Sequence, residues 1–229
     1  MHDRKREKQA AAIRAVDYIQ PDMIVGLGTG TTMHYVLLEI SERLKSGHLT
    51  NILGIPSSLV TEQKAQALSI PLTTFEEHPE IDLTIDGADE VDQQLHLIKG
   101  GGGALLREKI LIQASHHTVI VVDEGKLSPK LGTIQPVPVE VLPFAKNPVS
   151  KFIMKLDADV IIRKGNNGEN IETDQGNWLL DCYFGAIDDP HMIAYSLDKQ
   201  AGIIEHGLFL DTGAEVIVAS GNGIRYLSR

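Results

Sequence analysis

Residues 26–32 (Gly-Leu-Gly-Thr-Gly-Thr-Thr) could hold an anion, because small residues let backbone amides approach a ligand. A dinucleotide fingerprint would have a further glycine where Thr31 stands, and a Walker-type loop would contain Gly-Lys-Ser/Thr. Neither pattern is present. The segment therefore favours a phosphate monoester held by amides and by the hydroxyls of Thr29, Thr31 and Thr32. The alternative is a tight turn that only caps a helix.

Residues 85–92 (Ile-Asp-Gly-Ala-Asp-Glu-Val-Asp) carry four carboxylates at the end of the run 81–85, in which apolar residues alternate with polar ones. If that run is a parallel strand, the acids lie at its carboxyl end, where open sheets bind ligands. Their spacing does not match a calcium loop. Asp86 and Asp89 stand beside small residues and could hydrogen-bond the hydroxyls of a polyol. The alternative is a solvated acidic turn.

Residues 99–109 combine Lys99, four consecutive glycines and Glu108. Consecutive glycines are poor helix formers but suit a backbone that passes close to a ligand. Glu108 stands among leucines and isoleucines, and apolar surroundings raise the pKa of a carboxyl group and suit a general base. The alternative is an exposed Glu108 paired with a nearby cation.

Residues 123–126 (Asp-Glu-Gly-Lys) also follow an apolar run, and Lys126 could supply a cation for a phosphate or an oxyanion. A lysine in a loop is otherwise simply solvated. The nine histidines show no paired spacing typical of metal ligands, and His116 and His117 are expected at a helix end. Cys182 is interpreted as a core residue of a strand. We therefore expect no metal.

The chain has 229 residues, a formal net charge of −10 and 42% hydrophobic residues, values typical of a globular protein. An acidic balance argues against nucleic-acid binding. No apolar segment approaches the roughly 20 residues that cross a bilayer, and the start does not resemble a signal peptide. Since a single cysteine cannot form an internal disulfide, we expect the chain in a reducing compartment, the cytoplasm. We expect no membrane partner.

Strands and helices must alternate to position these segments. Hydrophobic patterns predict strands at 23–27, 52–55, 81–85 and 118–123, and helices at 4–19, with Asp3 as N-cap, and at 31–46, 58–68 and 104–115. This order implies a parallel sheet. Prolines then crowd the chain, and 137–141 is predicted as an edge or irregular strand.

The later part of the chain predicts a different, α+β arrangement. A helix at 148–156, strands at 160–163 and 178–184 and a helix at 190–200 follow one another, and 207–210 and 214–219 are expected to return to the first sheet. We predict an α/β protein with a parallel domain, residues 1–130 plus 205–229, and a smaller inserted α+β domain, residues 131–204.

Six segments in this order resemble ribose-5-phosphate isomerase of the A type: residues 26–32, 85–90, 99–108, 123–126, 184–187 and 205–209. The resemblance covers essentially the whole chain. It implies a Rossmann-like domain with an inserted ferredoxin-like domain, assembled into homodimers or tetramers. It also implies interconversion of D-ribose 5-phosphate and D-ribulose 5-phosphate through an enediolate, without metal or organic cofactor.

The resemblance also implies roles for individual residues. Glu108 would accept the proton, Asp86 would assist ring opening, and Lys99 would stabilise the oxyanion with Asp89 positioning hydroxyls. Lys126 would contact substrate, and Lys8 corresponds to a basic residue that reaches the phosphate. The implied substrate-binding residues are Thr29, Gly30, Thr31, Thr32, Asp86, Gly87, Ala88, Asp89, Lys99, Gly100, Gly101, Gly102 and Lys126. Thr31, Gly103 and Gly125 depart from the commoner serine, alanine and serine at these positions.

Two other functions fit a related fold. A non-catalytic sugar-phosphate sensor would need a DNA-reading element, and none is recognised before Met23. An acyl-CoA transferase with a glutamate nucleophile would need a coenzyme A site, of which the sequence shows no sign. Ketose formation from ribose 5-phosphate would separate the three.

Overall fold

The computed structural model describes residues 4–228, and its chain forms two compact units. The first comprises the chain up to Ala88, Arg107–Gly125, and the chain from Asp211 onward. The second comprises Asp89–Leu106 and Lys126–Leu210. The predicted domains, residues 1–130 plus 205–229 and residues 131–204, stay a prediction. The N-cap expected at Asp3 lies outside the described residues.

A six-stranded sheet organises the first unit. Its strands are β1 (Ile24–Leu27), β2 (Leu53–Pro56), β3 (Ile81–Asp86), β6 (Ser115–Asp123), β12 (Glu215–Ser220) and β13 (Gly223–Leu227). The spatial order is β13-β12-β6-β3-β1-β2, and every neighbouring pair is parallel except the hairpin β12–β13. The carboxyl ends of β1 and β3 are therefore adjacent, which brings together the loops that follow them.

The helices of the first unit precede or connect these strands. They are α1 (Arg4–Val16), α2 (Thr31–Lys45), α3 (Leu59–Ala67) and α4 (Leu105–Gln113), whose first two residues belong to the second unit. Apolar faces of α1 and α2 pack with the sheet in one core that includes Val16, Val36 and Leu83. This burial supplies the main stabilisation. Helix α1 ends before the predicted residue 19, because Tyr18 and Ile19 donate to carbonyls three residues back.

Two antiparallel sheets form the second unit. The larger, in the order β10-β7-β9-β8, contains β7 (Val137–Val141), β8 (Asp159–Ile162), β9 (Trp178–Tyr183) and β10 (Ile203–His206). The smaller, β11-β5-β4, contains β4 (Glu90–Val91), β5 (Leu97–Ile98) and β11 (Leu208–Phe209). Helices α5 (Lys146–Met154) and α6 (Pro190–Asp198) share a core with the larger sheet. The predicted α/β fold class, a parallel sheet combined with a smaller α+β part, is confirmed.

The prediction of β7 as an edge or irregular strand is wrong, because β7 pairs with both β10 and β9. The carbonyl of Pro138 accepts the Gly207 N–H at 2.7 Å, so the proline nitrogen faces the β10 side as well. The pairing of β10 with β7 ends one residue earlier, at the pair His206 and Val139, so it does not include Pro138. Pro138 therefore costs no ladder hydrogen bond inside the sheet.

Two further expectations are corrected. Leu208 and Phe209 do not return to the first sheet but pair with Ile98 and Leu97 in the small sheet. His116 and His117 do not end a helix, since they lie in β6, which begins at Ser115 opposite Ile81 of β3. No helix among residues 4–228 has both the length and the apolar character needed to cross a membrane.

Candidate active site

The loop after β1 and the start of α2 form an anion-binding geometry in the first unit. Gly30 precedes α2 with φ of 123°, a conformation that favours glycine, and the helix begins at Thr31. The free amides and the partial positive charge of a helix N-terminus favour a phosphate group. Lys8 on α1 adds a cation here, since its Nζ donates to Thr31 Oγ1 at 2.8 Å.

The Thr29 hydroxyl belongs to a cluster of hydroxyl groups. Its Oγ1 lies 2.7 Å from Ser57 Oγ, 2.8 Å from Ser58 Oγ and 3.0 Å from Thr61 Oγ1. The cluster joins the loop after β1 to the loop after β2, where Ser58 caps α3 by accepting the Thr61 N–H. Sequence reasoning missed these three residues, although two serines between a strand and a helix are a recognisable capping signal.

Asp86 ends β3 and is buried. Its Oδ1 accepts the Gly87 N–H at 2.7 Å and the Thr29 N–H at 3.1 Å. A Cβ on Gly28 would lie 2.0 Å from Asp86 Oδ1, so only glycine permits this approach. The carboxylate predicted to act on the sugar thus also shapes the loop predicted to bind the phosphate.

Glu108 stands in the first turn of α4, and only 3% of its surface is exposed. The alternative of an exposed helix residue is therefore wrong. A helix N-terminus favours a negative charge, while burial keeps water away from the carboxylate. Such a group can exchange a proton with a bound substrate, which fits the role of a general base.

The glycine loop of the second unit, residues 100–103, is shaped by Asp89. Asp89 Oδ2 accepts the Gly101 N–H at 2.7 Å, and a Cβ on Gly101 would lie 2.7 Å from Asp89 Oδ1. Gly100 and Gly103 have φ of 97° and 82°, and the Gly103 N–H donates to the Gly100 carbonyl at 3.0 Å. The glycines therefore form a tight turn that residues with side chains would strain.

Lys99 enters this loop with only 2% of its surface exposed. Its N–H donates to the Gly207 carbonyl at 3.0 Å, and its Nζ lies 5.5 Å from the centre of the Phe209 ring. A cation at this distance from an aromatic face is electrostatically favourable. An ammonium group held away from bulk water acts strongly on a developing negative charge.

Lys126 closes a short 3-10 helix, Glu124–Lys126, and is half-buried. The next residue, Leu127, forms a β-bridge with Val91, and the Ser128 N–H donates to the Val91 carbonyl at 2.9 Å. These bonds fix the backbone that follows the lysine. Within the second unit, Lys126 is therefore attached to an ordered segment.

The acidic run at 86–92 is neither a solvated turn nor one cluster, because each carboxylate accepts backbone N–H groups. Buried Glu90 accepts those of residues 132–135 at 2.9–3.3 Å. Asp92 Oδ1 accepts those of Gln94 and His96 at 2.9 and 2.8 Å. Asp86 and Asp89 hold the loops described above. Charge-assisted bonds of this kind explain why four acids follow one strand.

Asp198, Glu205 and His206 place potential ligand atoms within 4.8 Å of one another in the second unit. The Leu208 N–H donates to His206 Nδ1 at 3.2 Å, so the proton of the neutral ring is on Nε2. Nε2 then donates to Asp198 Oδ1 at 3.1 Å. This tautomer leaves Nε2 without a lone pair for a metal ion.

Cys182 lies buried in β9, as expected for a core residue. Burial raises the pKa of its thiol, and the neighbouring Asp181 acts in the same direction. A thiol kept protonated is a poor nucleophile.

Comparisons with known proteins identify the family of this chain. Residues 53–223 match the family model described as Ribose 5-phosphate isomerase A (phosphoriboisomerase A). Ribose-5-phosphate isomerase A of Desulfatibacillum aliphaticivorans is 52% identical over 218 residues, 95% of each chain. The structure of ribose 5-phosphate isomerase from Plasmodium falciparum is similar with a TM-score of 0.94, at 40% identity and 98% of each chain.

A further solved structure carries a ligand. It is a D-ribose-5-phosphate isomerase in complex with phospho-erythronic acid. The present chain is similar to it with a TM-score of 0.96 and 38% identity, over 98% of this chain and 99% of that one.

Proposed function

This chain belongs to the ribose 5-phosphate isomerase A family and interconverts D-ribose 5-phosphate and D-ribulose 5-phosphate, and from that premise we propose that Glu108 is the catalytic base. The observation that carries this assignment is the burial of Glu108 in the first turn of α4. Family membership decides against a sugar-phosphate sensor and against an acyl-CoA transferase.

In the proposed reaction, the Glu108 carboxylate removes the proton from C2 of the open-chain aldose. The electron pair of the broken C–H bond forms the C1–C2 double bond of a cis-enediolate, and negative charge develops on O1. Glu108 then returns the proton to C1, while the proton of the C2 hydroxyl is transferred to O1. The step is redox-neutral overall, so the proposal needs no external oxidant or reductant.

Ring opening precedes this step, and we assign it to Asp86. A pentose phosphate is mainly cyclic, so the proton of the C1 hydroxyl must leave and the ring oxygen must gain one. Asp86 is a carboxylate at the end of β3 whose position is set by the Thr29 and Gly87 amides. A group held in this way transfers protons without reorganising first.

We assign the stabilisation of the enediolate to Lys99 and the glycine loop. Buried ammonium and amide donors are most effective where negative charge develops, because little water screens them. Asp89 holds the loop through Gly101 and is proposed to position substrate hydroxyls together with Gly87 and Ala88. Removing one such donor typically costs about 10²–10³-fold in kcat.

The phosphate group is assigned to the start of α2. Gly30, Thr31 and Thr32 offer amides and hydroxyls there, and Lys8 lies against Thr31. Thr29 supports this loop through its contacts with Ser57, Ser58 and Thr61. Lys126 is proposed as a second cation for the substrate.

We also propose a homo-oligomer, a dimer or a tetramer, in the cytoplasm. Phe144 supports an interface because its side chain is 99% exposed and Leu142 beside it is exposed as well. The single, buried Cys182 suits a reducing compartment. Analytical ultracentrifugation of the purified chain would measure the oligomeric state.

The decisive experiment replaces Glu108 by glutamine and measures ketose formation from ribose 5-phosphate in the presence of EDTA. A positioned base contributes about 10²–10⁴-fold, so kcat of Glu108→Gln should fall by this factor with little change in KM. Exchange of substrate hydrogen with deuterated water should fall in parallel. Phospho-erythronic acid, whose carboxylate resembles the enediolate, should still bind the variant.

Glu80→Gln is the matched control, because Glu80 is an exposed glutamate that the proposal does not use. It should keep normal kinetics. Near-normal turnover in Glu108→Gln would remove Glu108 from the mechanism.

A further inference from the structure

Arg163 follows directly after β8 and reaches the glycine loop of the second unit. Its Nη1 donates to the Gly100 carbonyl at 2.9 Å and to the Gly101 carbonyl at 3.2 Å. The two partners are 63 and 62 positions away in sequence. From sequence, Arg163 was predicted only as the last residue of a strand, with no role in the site.

The guanidinium of Arg163 is held in place from its other side. Asp181 on β9 accepts from Nε at 3.0 and 3.2 Å, and its Oδ1 also accepts from Nη2. The side chains of Arg163 and Asp181 are only 14% and 16% exposed. An Arg–carboxylate pair with this fork geometry and burial is far more rigid than a surface ion pair.

The backbone of Arg163 is also fixed. Its N–H donates to the Leu179 carbonyl at 2.8 Å, and its carbonyl accepts the Ile171 N–H at 3.0 Å. Backbone and side chain therefore form a rigid support that reaches from the four-stranded sheet to the loop.

The peptide between Gly100 and Gly101 is held at both ends by opposite charges. Its carbonyl accepts from Arg163, and its N–H donates to Asp89 at 2.7 Å. Four consecutive glycines have high conformational freedom when nothing restrains them. The two charged partners remove that freedom and leave one loop conformation.

We infer that Arg163 is a positioning residue for the isomerisation, acting through the glycine loop. The inference rests on the proposed function, in which Lys99 and this loop stabilise the enediolate. Arg163 directs its donors to backbone carbonyls, so its effect on the substrate is indirect. A lysine cannot replace it, because one ammonium cannot reproduce the fork that joins Asp181 to two carbonyls.

Arg163→Lys tests this inference while keeping a positive charge beside Asp181. A displacement of about 1 Å at a site can cost about 10²-fold, so we expect kcat to fall about 10- to 100-fold with KM within about threefold of the parent value. The thermal unfolding midpoint should stay close to that of the parent. Guanidinium ion, added well below denaturing concentrations, should restore part of kcat to Arg163→Ala, whereas ammonium ion should not.

Arg43→Lys is the matched control. Arg43 is 21% exposed and pairs with Glu39 and Asp17 at 2.7 Å each, but it contacts no residue of the proposed site among those described. The same substitution there should leave kcat unchanged.

A folded Arg163→Lys protein with kcat within twofold of the parent would overturn the inference, and so would a change confined to KM. If Arg163→Ala does not fold, the kinetics of Arg163→Lys alone test the inference. The proposed function is tested separately. An active Glu108→Gln variant would show that Glu108 is not the catalytic base, independently of the result for Arg163. An inactive Glu108→Gln together with a normal Arg163→Lys removes only the role of Arg163.

Discussion

Asp86 Oδ1 accepts the backbone N–H of Thr29 at 3.1 Å, which ties the carboxyl end of β3 to the loop that follows β1. The same oxygen accepts the Gly87 N–H at 2.7 Å. One buried carboxylate therefore holds two loops of the first unit, and the missing Cβ of Gly28 makes room for it. The structural and the proposed chemical role of Asp86 are separable, because amides need only an oxygen acceptor whereas proton transfer needs a carboxyl group.

Two substitutions of Asp86 separate these roles. Asp86→Asn keeps an oxygen for both amides, so its unfolding free energy should stay near that of the parent while kcat falls sharply. Asp86→Ala should lose activity and also about 1–3 kcal/mol of stability, because two partly buried N–H groups lose their acceptor. Urea unfolding and steady-state kinetics on both proteins measure the difference. Equal stability of the two variants would contradict the structural role.

Lys126→Ala tests the second cation. If Lys126 binds the phosphate, KM for ribose 5-phosphate should rise about 10-fold, equivalent to about 1.4 kcal/mol, with kcat little changed. Lys45→Ala is the control, since Lys45 is an exposed lysine at the end of α2. A fall in kcat at constant KM would instead place Lys126 at the reacting carbons.

Because of Tyr18, we expect the folded protein to lose stability at alkaline pH. Burial raises the pKa of its hydroxyl above the ordinary value of 10.0, and the 2.5 Å hydrogen bond to Glu215 and the charge of Glu215 raise it further. Since the folded state holds this proton more tightly than the unfolded state, the contribution is complete below about pH 10 and is lost as pH rises toward the folded-state pKa.

Denaturant unfolding of Tyr18→Phe between neutral pH and pH 11 measures this effect. The parent should lose stability above about pH 10 more steeply than Tyr18→Phe, which has no proton to release. Tyr195→Phe, at an exposed tyrosine, should follow the parent curve. Parallel curves for the parent and Tyr18→Phe would show that the hydrogen bond to Glu215 has no part in alkaline unfolding.

Local patterns predicted most elements of the fold. The strands β1, β3 and β9 and the helices α2, α3 and α6 lie within a few residues of their predicted bounds, because their periodicity and capping residues act over short distances. The two-residue strands β4 and β5 were not recognised, and β11 was predicted as a strand but assigned to the wrong sheet. Such short strands have no periodicity of their own, and their pairing depends on long-range contacts.

By itself, the sequence determined the chemical groups available to this protein: a glycine-rich anion loop, an acidic run after a strand, and a lysine and a glutamate around four glycines. It did not determine which atoms those groups contact. That Thr29 turns its hydroxyl toward Ser57, that Glu90 serves the loop at 132–135, and that Arg163 holds the glycine loop were decided by tertiary structure. The physical reason is that these hydrogen bonds join residues 28 to 63 positions apart, whose distance is set only when the strands between them pack.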